Sequence, residues 1–89
     1  MTSQTTKDAR TILAANLRFA RKAKGWTQRE LAAAVGVDTL AVSRWERAAA
    51  TPNGANLAGL AEVLGRQFAW FYVDHGYDES SPSSGKAAA

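Results

Sequence analysis

The chain has 89 residues, of which 46% are hydrophobic, and it carries a formal net charge of +3 and no cysteine. This length predicts one small domain, and the apolar share is ample for a helical core. The absence of cysteine excludes disulfides and thiolate metal sites, and no apolar run approaches the roughly 20 residues of a membrane span or forms a signal peptide. We therefore expect a cytoplasmic protein with no membrane partner.

The basic residues are concentrated in the first half of the chain. Residues 7–47 hold nine Lys or Arg against four Asp or Glu, whereas residues 48–89 hold two against four. Such an asymmetry is typical of a half that binds a polyanion joined to a neutral or acidic half. Charge alone equally describes a solvated surface.

A first helix is predicted to follow an N-cap at Thr5 or Thr6 and to end near Lys24. Basic residues in its last turn and Gly25 after it indicate this end. Residues 1–6 are expected to be flexible. The residues that mark the buried face of the helix are Ile12, Leu13, Asn16, Leu17 and Ala20.

The segment 27–47, TQRELAAAVGVDTLAVSRWER, predicts two short helices joined by a tight turn. Thr27 and Glu30 form a capping box at the start of the first helix. Trp26, just before it, is placed to pack against Leu31 one turn later. A helix therefore begins at this point.

Gly36 then suits the positive φ of a sharp turn, and Asp38 is a natural N-cap for the second helix of the segment. Val42 and Trp45, three residues apart, face inward on this helix. The remaining face is mostly polar and basic, and it consists of Thr39, Leu40, Ser43, Arg44 and Arg47.

The rest of the chain predicts two further helices and a tail. A loop follows Arg47, and Asn53 can cap a helix that Gly65 ends, with an apolar face of Leu57, Leu60, Ala61 and Leu64. A fifth, short helix is predicted around residues 68–73, with Phe68 and Phe71 inward and Trp70 or Tyr72 more exposed. Residues 76–89 are rich in Ser and poor in apolar residues, which predicts a disordered tail.

The motif and its flanks resemble the lambda-repressor-like helix-turn-helix domains of the Cro and Xre type. The resemblance begins at LRFARKAKGWTQRELA, continues through VGV, VSRWER and Pro52, and ends with LAGLAEVLG and FAWFY. It implies a compact, all-α, five-helix domain over residues 7–75 that binds double-stranded DNA. The sequence shows no catalytic set, cofactor loop or metal-binding cluster, so we expect neither enzymatic activity nor a cofactor.

Four residues on the outer face of the second motif helix are predicted to contact bases: Thr39, Leu40, Ser43 and Arg44. Arg44 is the first choice because a guanidinium pairs bidentately with guanine in the major groove. Leu40 either touches a thymine methyl group or is partly buried against the preceding helix. Phosphate contacts are expected from Thr27, Gln28 and Arg47, although Thr27 is first of all a helix cap.

The resemblance also implies an ion pair between Arg21 and Glu46, which would tie the first helix to the end of the second motif helix. The chain departs from the family in the loop that follows. Many relatives have a glycine and several basic residues there, whereas this chain has AAAT at positions 48–51. We therefore predict fewer phosphate contacts than in a typical relative.

The resemblance implies a homodimer on an inverted-repeat operator with half-sites about one helical turn apart. Trp70, Tyr72 and Val73 are the predicted interface, although these residues also suit closure of a monomer core. The predicted function is a repressor of transcription, such as a phage Cro or immunity repressor, a restriction-modification controller, or an antitoxin with a toxin partner. The alternative is a protein-interaction adaptor that keeps the fold without specific DNA binding.

Overall fold

The computed structural model describes residues 8–76, and that part of the chain is entirely helical apart from its connections. The α-helices are α1 (Ala9–Ala23), α2 (Gln28–Val35), α3 (Thr39–Glu46) and α4 (Gly54–Leu64), followed by a 3-10 helix (Phe68–Tyr72). The all-α class is confirmed, but the fifth element is a single stretch of 3-10 helix. The flexible start predicted at residues 1–6 lies outside the described residues, as does the tail predicted at residues 76–89 apart from Gly76.

α1 begins later than the sequence predicts. Its N-cap is Asp8, whose side chain accepts a hydrogen bond from the backbone N–H of Thr11 at 2.9 Å. The proposal of Thr5 or Thr6 as the cap was therefore wrong, because Asp8 accepts from one of the free N–H groups of the first turn and has the extended backbone of a cap. At the other end the helix closes at Lys24, as expected.

The turn between α2 and α3 has the predicted chemistry. The hydroxyl of Thr27 accepts from the backbone N–H of Glu30, whose carboxylate accepts in return from the backbone N–H of Thr27. Gly36 ends α2 with a φ of 87°, a left-handed conformation that glycine adopts without steric cost. Asp38 then caps α3 through the backbone N–H of Ala41.

One apolar core joins the helices. α1 packs on α3 and on the 3-10 helix, while α2 packs on α3 and α4. Trp26 packs against this core, as do Val35 and Val37 from the motif. Within residues 8–76, no helix is long and apolar enough to cross a membrane. The fully buried large side chains of the core are Leu13, Leu17, Leu31, Val42, Leu60 and Phe71.

The 3-10 helix buries one of the two aromatic residues that the sequence placed inward. Phe71 is completely buried, but Phe68 is 49% exposed. The expectation for Phe68 was wrong because the carboxyl end of the 3-10 helix is the end that is bonded to α1. Phe68 is the first residue of the 3-10 helix, so it lies at the other end, outside the core.

Candidate nucleic-acid interface

α3 divides sharply into a buried face and an outer face. Val42, Trp45 and Glu46 are buried, whereas the opposite side is exposed or half-buried. The outer residues at positions 40, 43, 44 and 47 follow the spacing of one helical stripe, so they lie side by side along the helix. We call this set, with the residue that precedes it, the outer face of α3: Thr39, Leu40, Ser43, Arg44 and Arg47.

Leu40 is the unusual member of the outer face, because an apolar side chain is exposed there among polar and basic ones. Its exposed fraction is 51%, so the partial burial against the preceding helix that the sequence offered as an alternative leaves half of the side chain in solvent. Thr39 and Arg44 are also exposed. An exposed leucine beside a hydroxyl and a guanidinium offers one apolar contact and two hydrogen-bonding contacts to the same ligand surface.

Ser43 and Arg47 contact each other on this face. The guanidinium Nε of Arg47 donates to the hydroxyl of Ser43 at 3.3 Å, one helical turn away. The bond uses one of the five guanidinium N–H groups, and Arg47 is exposed at the rim of the face. The structure therefore brings together a residue predicted to contact a base and one predicted to contact a phosphate.

At the start of α2, the two residues predicted to contact phosphate have different surroundings. Thr27 is exposed, and its hydroxyl oxygen accepts the capping bond. The hydroxyl can still donate its own hydrogen to another group. Gln28 is half-buried, and its side-chain amide donates to Glu46 Oε1 at 3.0 Å. The amide of Gln28 is thus directed at α3, and a phosphate contact by this residue stays a prediction.

Arg21 and Glu46 form a buried ion pair. Arg21 Nε donates to Glu46 Oε2 at 2.6 Å and Nη2 donates to Oε1 at 3.0 Å, which is the two-pronged geometry of a strong pair. The side chains are 11% and 2% exposed. A further guanidinium N–H of Arg21 donates to the backbone carbonyl of Trp26 at 2.8 Å. The pair holds α1, the start of the motif and the end of α3 together.

The end of α3 contains two features that the sequence did not reveal. Arg18 Nη1 donates to the backbone carbonyl of Glu46 at 2.6 Å. Ala48 adopts a φ of 61°, and the backbone N–H of Ala49 reaches back to the carbonyl of Arg44 at 2.8 Å. This is a left-handed helix cap of the kind that glycine usually provides. The resemblance implies a glycine in the loop after Arg47, and this chain has alanine there.

A second exposed region lies at the 3-10 helix, away from the motif in sequence. We call it the aromatic surface, and it consists of Phe19, Phe68, Trp70, Tyr72 and Val73. Trp70 is half-buried and lies 6.4 Å from the ring of Phe19 and 4.2 Å from the guanidinium carbon of Arg66. The other members are each between 42% and 50% exposed. Of the predicted interface residues, Tyr72 and Val73 are thus exposed, whereas Trp70 is partly covered by Phe19 of α1, Arg66 and His75.

Comparisons with known proteins place the chain in a family. A family model described as helix-turn-helix matches residues 17–71, from α1 through the buried Phe71 of the 3-10 helix. The chain belongs to this helix-turn-helix family. The resemblance to regulators of the Cro and Xre type that the sequence indicated is therefore confirmed.

Relatives within the family are regulators by name. The HTH-type transcriptional regulator DicA of Escherichia coli (strain K12) is 34% identical over 73 residues, which is 82% of this chain and 54% of DicA. A hypothetical transcription factor of Neisseria meningitidis serogroup B is 41% identical over 59 residues, covering 66% of this chain and 56% of the relative. The chain spans about half the length of these curated relatives.

One solved structure of a family member includes its ligand. The P22 c2 repressor protein, solved in complex with a synthetic operator, superposes with a TM-score of 0.65 at 34% identity, covering 66% of this chain and 89% of that chain. These values show that two thirds of this chain share their fold with a repressor crystallised on an operator.

Proposed function

We propose that this protein is a transcription regulator that binds double-stranded DNA sequence-specifically by placing α3 in the major groove. The observation that carries the proposal is the outer face of α3. Leu40 and Arg44 are exposed there on one helical stripe, on the helix that follows the turn at Gly36. An α-helix fits the major groove, and its outward residues meet base edges there. The operator complex of the P22 c2 repressor supports this assignment.

Within this proposal the residues have separate roles. Arg44 donates two hydrogen bonds to one guanine, and Leu40 packs on a thymine methyl group. Thr39 and Ser43 donate to or accept from neighbouring base edges. Phosphates on either side are held by Thr27, by Gln28 and by Arg47, which fix the position of α3 without reading sequence.

We further propose that the protein acts as a homodimer on an inverted-repeat operator and represses transcription by occupying it. Trp70, Tyr72 and Val73 of the aromatic surface provide the interface between subunits. Their support is the exposure of Tyr72 and Val73 in a domain whose core is otherwise closed. A phage repressor, a restriction-modification controller and an antitoxin are all regulators of this design, and a toxin would be the partner in the last case.

The test is selection of bound sequences from a random double-stranded DNA pool with purified protein at near-physiological salt. Enrichment of an inverted repeat with half-sites about 10 base pairs apart is the expected result. Arg44→Ala is compared with the wild-type chain in the same selection. The Arg44 side chain is exposed and lies outside the core, so this change removes a proposed base contact without removing core packing. Folded protein that enriches no sequence would contradict the proposal.

A second candidate is a protein-interaction adaptor that keeps the fold without reading DNA. The aromatic surface favours it, since four of its five residues are more than two-fifths exposed. The uncharged loop after α3 favours it as well. In this case a change at Trp70 or Tyr72 abolishes activity while Arg44→Ala leaves it intact. A DNA reader, in contrast, loses sequence-specific binding with Arg44→Ala.

A further inference from the structure

Asn16 is a polar residue in the middle of the buried face of α1, with only 1% of its surface exposed. Its side-chain Nδ2 donates to the backbone carbonyl of Phe71 at 2.7 Å and to that of Val73 at 2.9 Å. The carbonyl of Trp70 lies at 3.2 Å from the same nitrogen. One amide group therefore serves three carbonyls that are more than 50 positions away in the sequence.

These carbonyls lie at and just after the carboxyl end of the 3-10 helix, where backbone donors run out. The Trp70 carbonyl also accepts from the backbone N–H of Val73 at 3.3 Å and lies 3.0 Å from His75 Nε2, whereas Asn16 is the donor to the carbonyls of Phe71 and Val73. A 3-10 helix is also short and has poor hydrogen-bond geometry of its own. Asn16 is consequently the polar attachment that holds this element, and with it the aromatic surface, against α1.

α1 also holds the carboxyl end of α3. Two residues after Asn16, Arg18 donates to the backbone carbonyl of Glu46, and one turn later Arg21 binds the carboxylate of Glu46. Residues 16 and 21 are separated by about 7.5 Å along the helix axis, at 1.5 Å per residue. One rigid stretch of α1 thus fixes both the end of α3 and the position of the aromatic surface.

We propose that Asn16 sets the distance and angle between α3 and the subunit interface, and so determines which half-site spacing the dimer accepts. This inference rests on the proposed function, a homodimer that pairs through the aromatic surface. In a two-fold dimer any displacement of the interface relative to α3 appears twice, once in each subunit. Each added base pair moves a half-site by roughly 3.4 Å and turns it by roughly 35° about the DNA axis.

The role of Asn16 is separable from base reading. Loss of its amide removes the donor from the carbonyls of Phe71 and Val73, while the buried Phe71 side chain still anchors the 3-10 helix in the core. The bonds from Arg18 and Arg21 to Glu46 are made by other side chains on α1. A variant at Asn16 is therefore expected to read the same half-site with a looser requirement for spacing.

The experiment uses the half-site found by selection, arranged as inverted repeats whose spacer varies one base pair at a time. Binding is measured for the full chain, for Asn16→Leu, for Asn16→Ser and for Asn53→Ala. Asn16→Leu has similar volume without a donor. Asn16→Ser is the second variant in case the leucine variant does not fold, because its hydroxyl is one bond shorter than the amide and loses the bonds that Nδ2 makes. Asn53→Ala is the control, because it removes the side-chain cap of α4 and touches none of the three carbonyls.

We expect the wild-type chain and Asn53→Ala to prefer the best spacer over its neighbours by about tenfold, and the Asn16 variants by about twofold or less, since mismatched geometry costs contacts at one half-site. Affinity for a single half-site stays within about twofold of wild type. A folded Asn16 variant with an undiminished spacing preference would overturn the positioning role alone. Wild-type protein that selects no repeat would overturn the proposed function, and the inference with it.

Discussion

The side-chain amide of Gln28 donates a hydrogen bond to Glu46 Oε1 across 3.0 Å, which joins the first residue of α2 to the last residue of α3. The same oxygen accepts from Arg21 at 3.0 Å. One buried carboxylate therefore connects three helices at a single point. Directional bonds, in addition to apolar packing, therefore fix the angle between α2 and α3. Under the proposed function, α2 contacts a phosphate and α3 contacts a base as parts of one rigid unit.

Replacing Glu46 by Gln should destabilise the domain strongly. The variant leaves the buried guanidinium of Arg21 without a counter-charge, and breaking a buried pair in this way costs about 3–5 kcal/mol. Urea unfolding followed by circular dichroism measures the loss. Glu62→Gln is the control, because Glu62 is exposed on α4 and its change should stay within about 0.5 kcal/mol.

The double variant Arg21→Met with Glu46→Leu separates charge from packing at the same site. It removes both ionic groups, so no uncompensated charge remains, and replacements of this kind are often neutral or stabilising by about 1–4 kcal/mol. Stability that returns to the wild-type level in the double variant supports this explanation. A double variant as unstable as Glu46→Gln would indicate that the bonds to Trp26 and Gln28 matter more than the charge.

Replacing Arg44 by Ala should relax specificity at one operator position. Arg44 is exposed, so the fold should be unaffected, and the loss of a bidentate contact to guanine costs about 1–3 kcal/mol at that position only. Binding to operators with each base substituted in turn measures this. Arg29→Ala, an exposed arginine on α2, should not alter base preference. An equal loss on every operator would make Arg44 a phosphate contact.

The local signals in the sequence predicted the motif well. The capping box at Thr27, the left-handed glycine at Gly36 and the cap at Asp38 depend on residues a few positions apart, and the structure has all three. Asn16 was placed on the buried face, but its three carbonyl partners were not predictable because they depend on the tertiary fold. Phe68 was misplaced since a segment of five residues is too short for its periodicity to define a face.

Replacing Ala48 by Gly should stabilise the protein. Ala48 has a φ of 61°, and a left-handed conformation costs a residue with a Cβ about 1–2 kcal/mol. Glycine relieves this strain, although its greater freedom in the unfolded chain returns about 0.4–1 kcal/mol. The net gain is between about 0 and 1.6 kcal/mol, and each kcal/mol raises the Tm by roughly 4–8 °C in a domain of this size. Ala49→Gly has no such strain to relieve, and its Tm should fall.

The uncharged loop after α3 should make DNA binding less sensitive to salt than in a relative with a basic loop. Each phosphate contact contributes about −0.9 to the slope of log K against log salt, and we expect a slope shallower than about −8. Ala49→Lys places a charge on the exposed loop and should steepen the slope by about 0.9 per subunit. Ala58→Lys is the control, because it adds the same charge on the exposed side of α4 and not in the loop after α3.

A slope that steepens equally for both lysine variants would mean that overall charge, and not a phosphate beside the loop, governs the salt response. A wild-type slope steeper than about −8 would contradict the prediction itself, because the loop would then have to be compensated by phosphate contacts from other basic residues.

The N-cap of α1 should make stability depend on pH in the acid range. The backbone N–H of Thr11 donates to the carboxylate of Asp8 and holds the pKa of Asp8 below its ordinary value, with a smaller contribution from the Thr11 side chain. Because the folded pKa is the lower one, this stabilisation is present above the unfolded pKa of about 3.9 and is lost as the pH falls through the folded pKa.

Asp8→Asn keeps a capping oxygen but cannot titrate. The difference in unfolding free energy between wild type and Asp8→Asn should therefore be constant from neutral pH down to about pH 5 and shrink below it, measured by urea unfolding at each pH. A difference that does not change down to pH 2 would show that the carboxylate of Asp8 is not held more strongly in the folded chain than in the unfolded one.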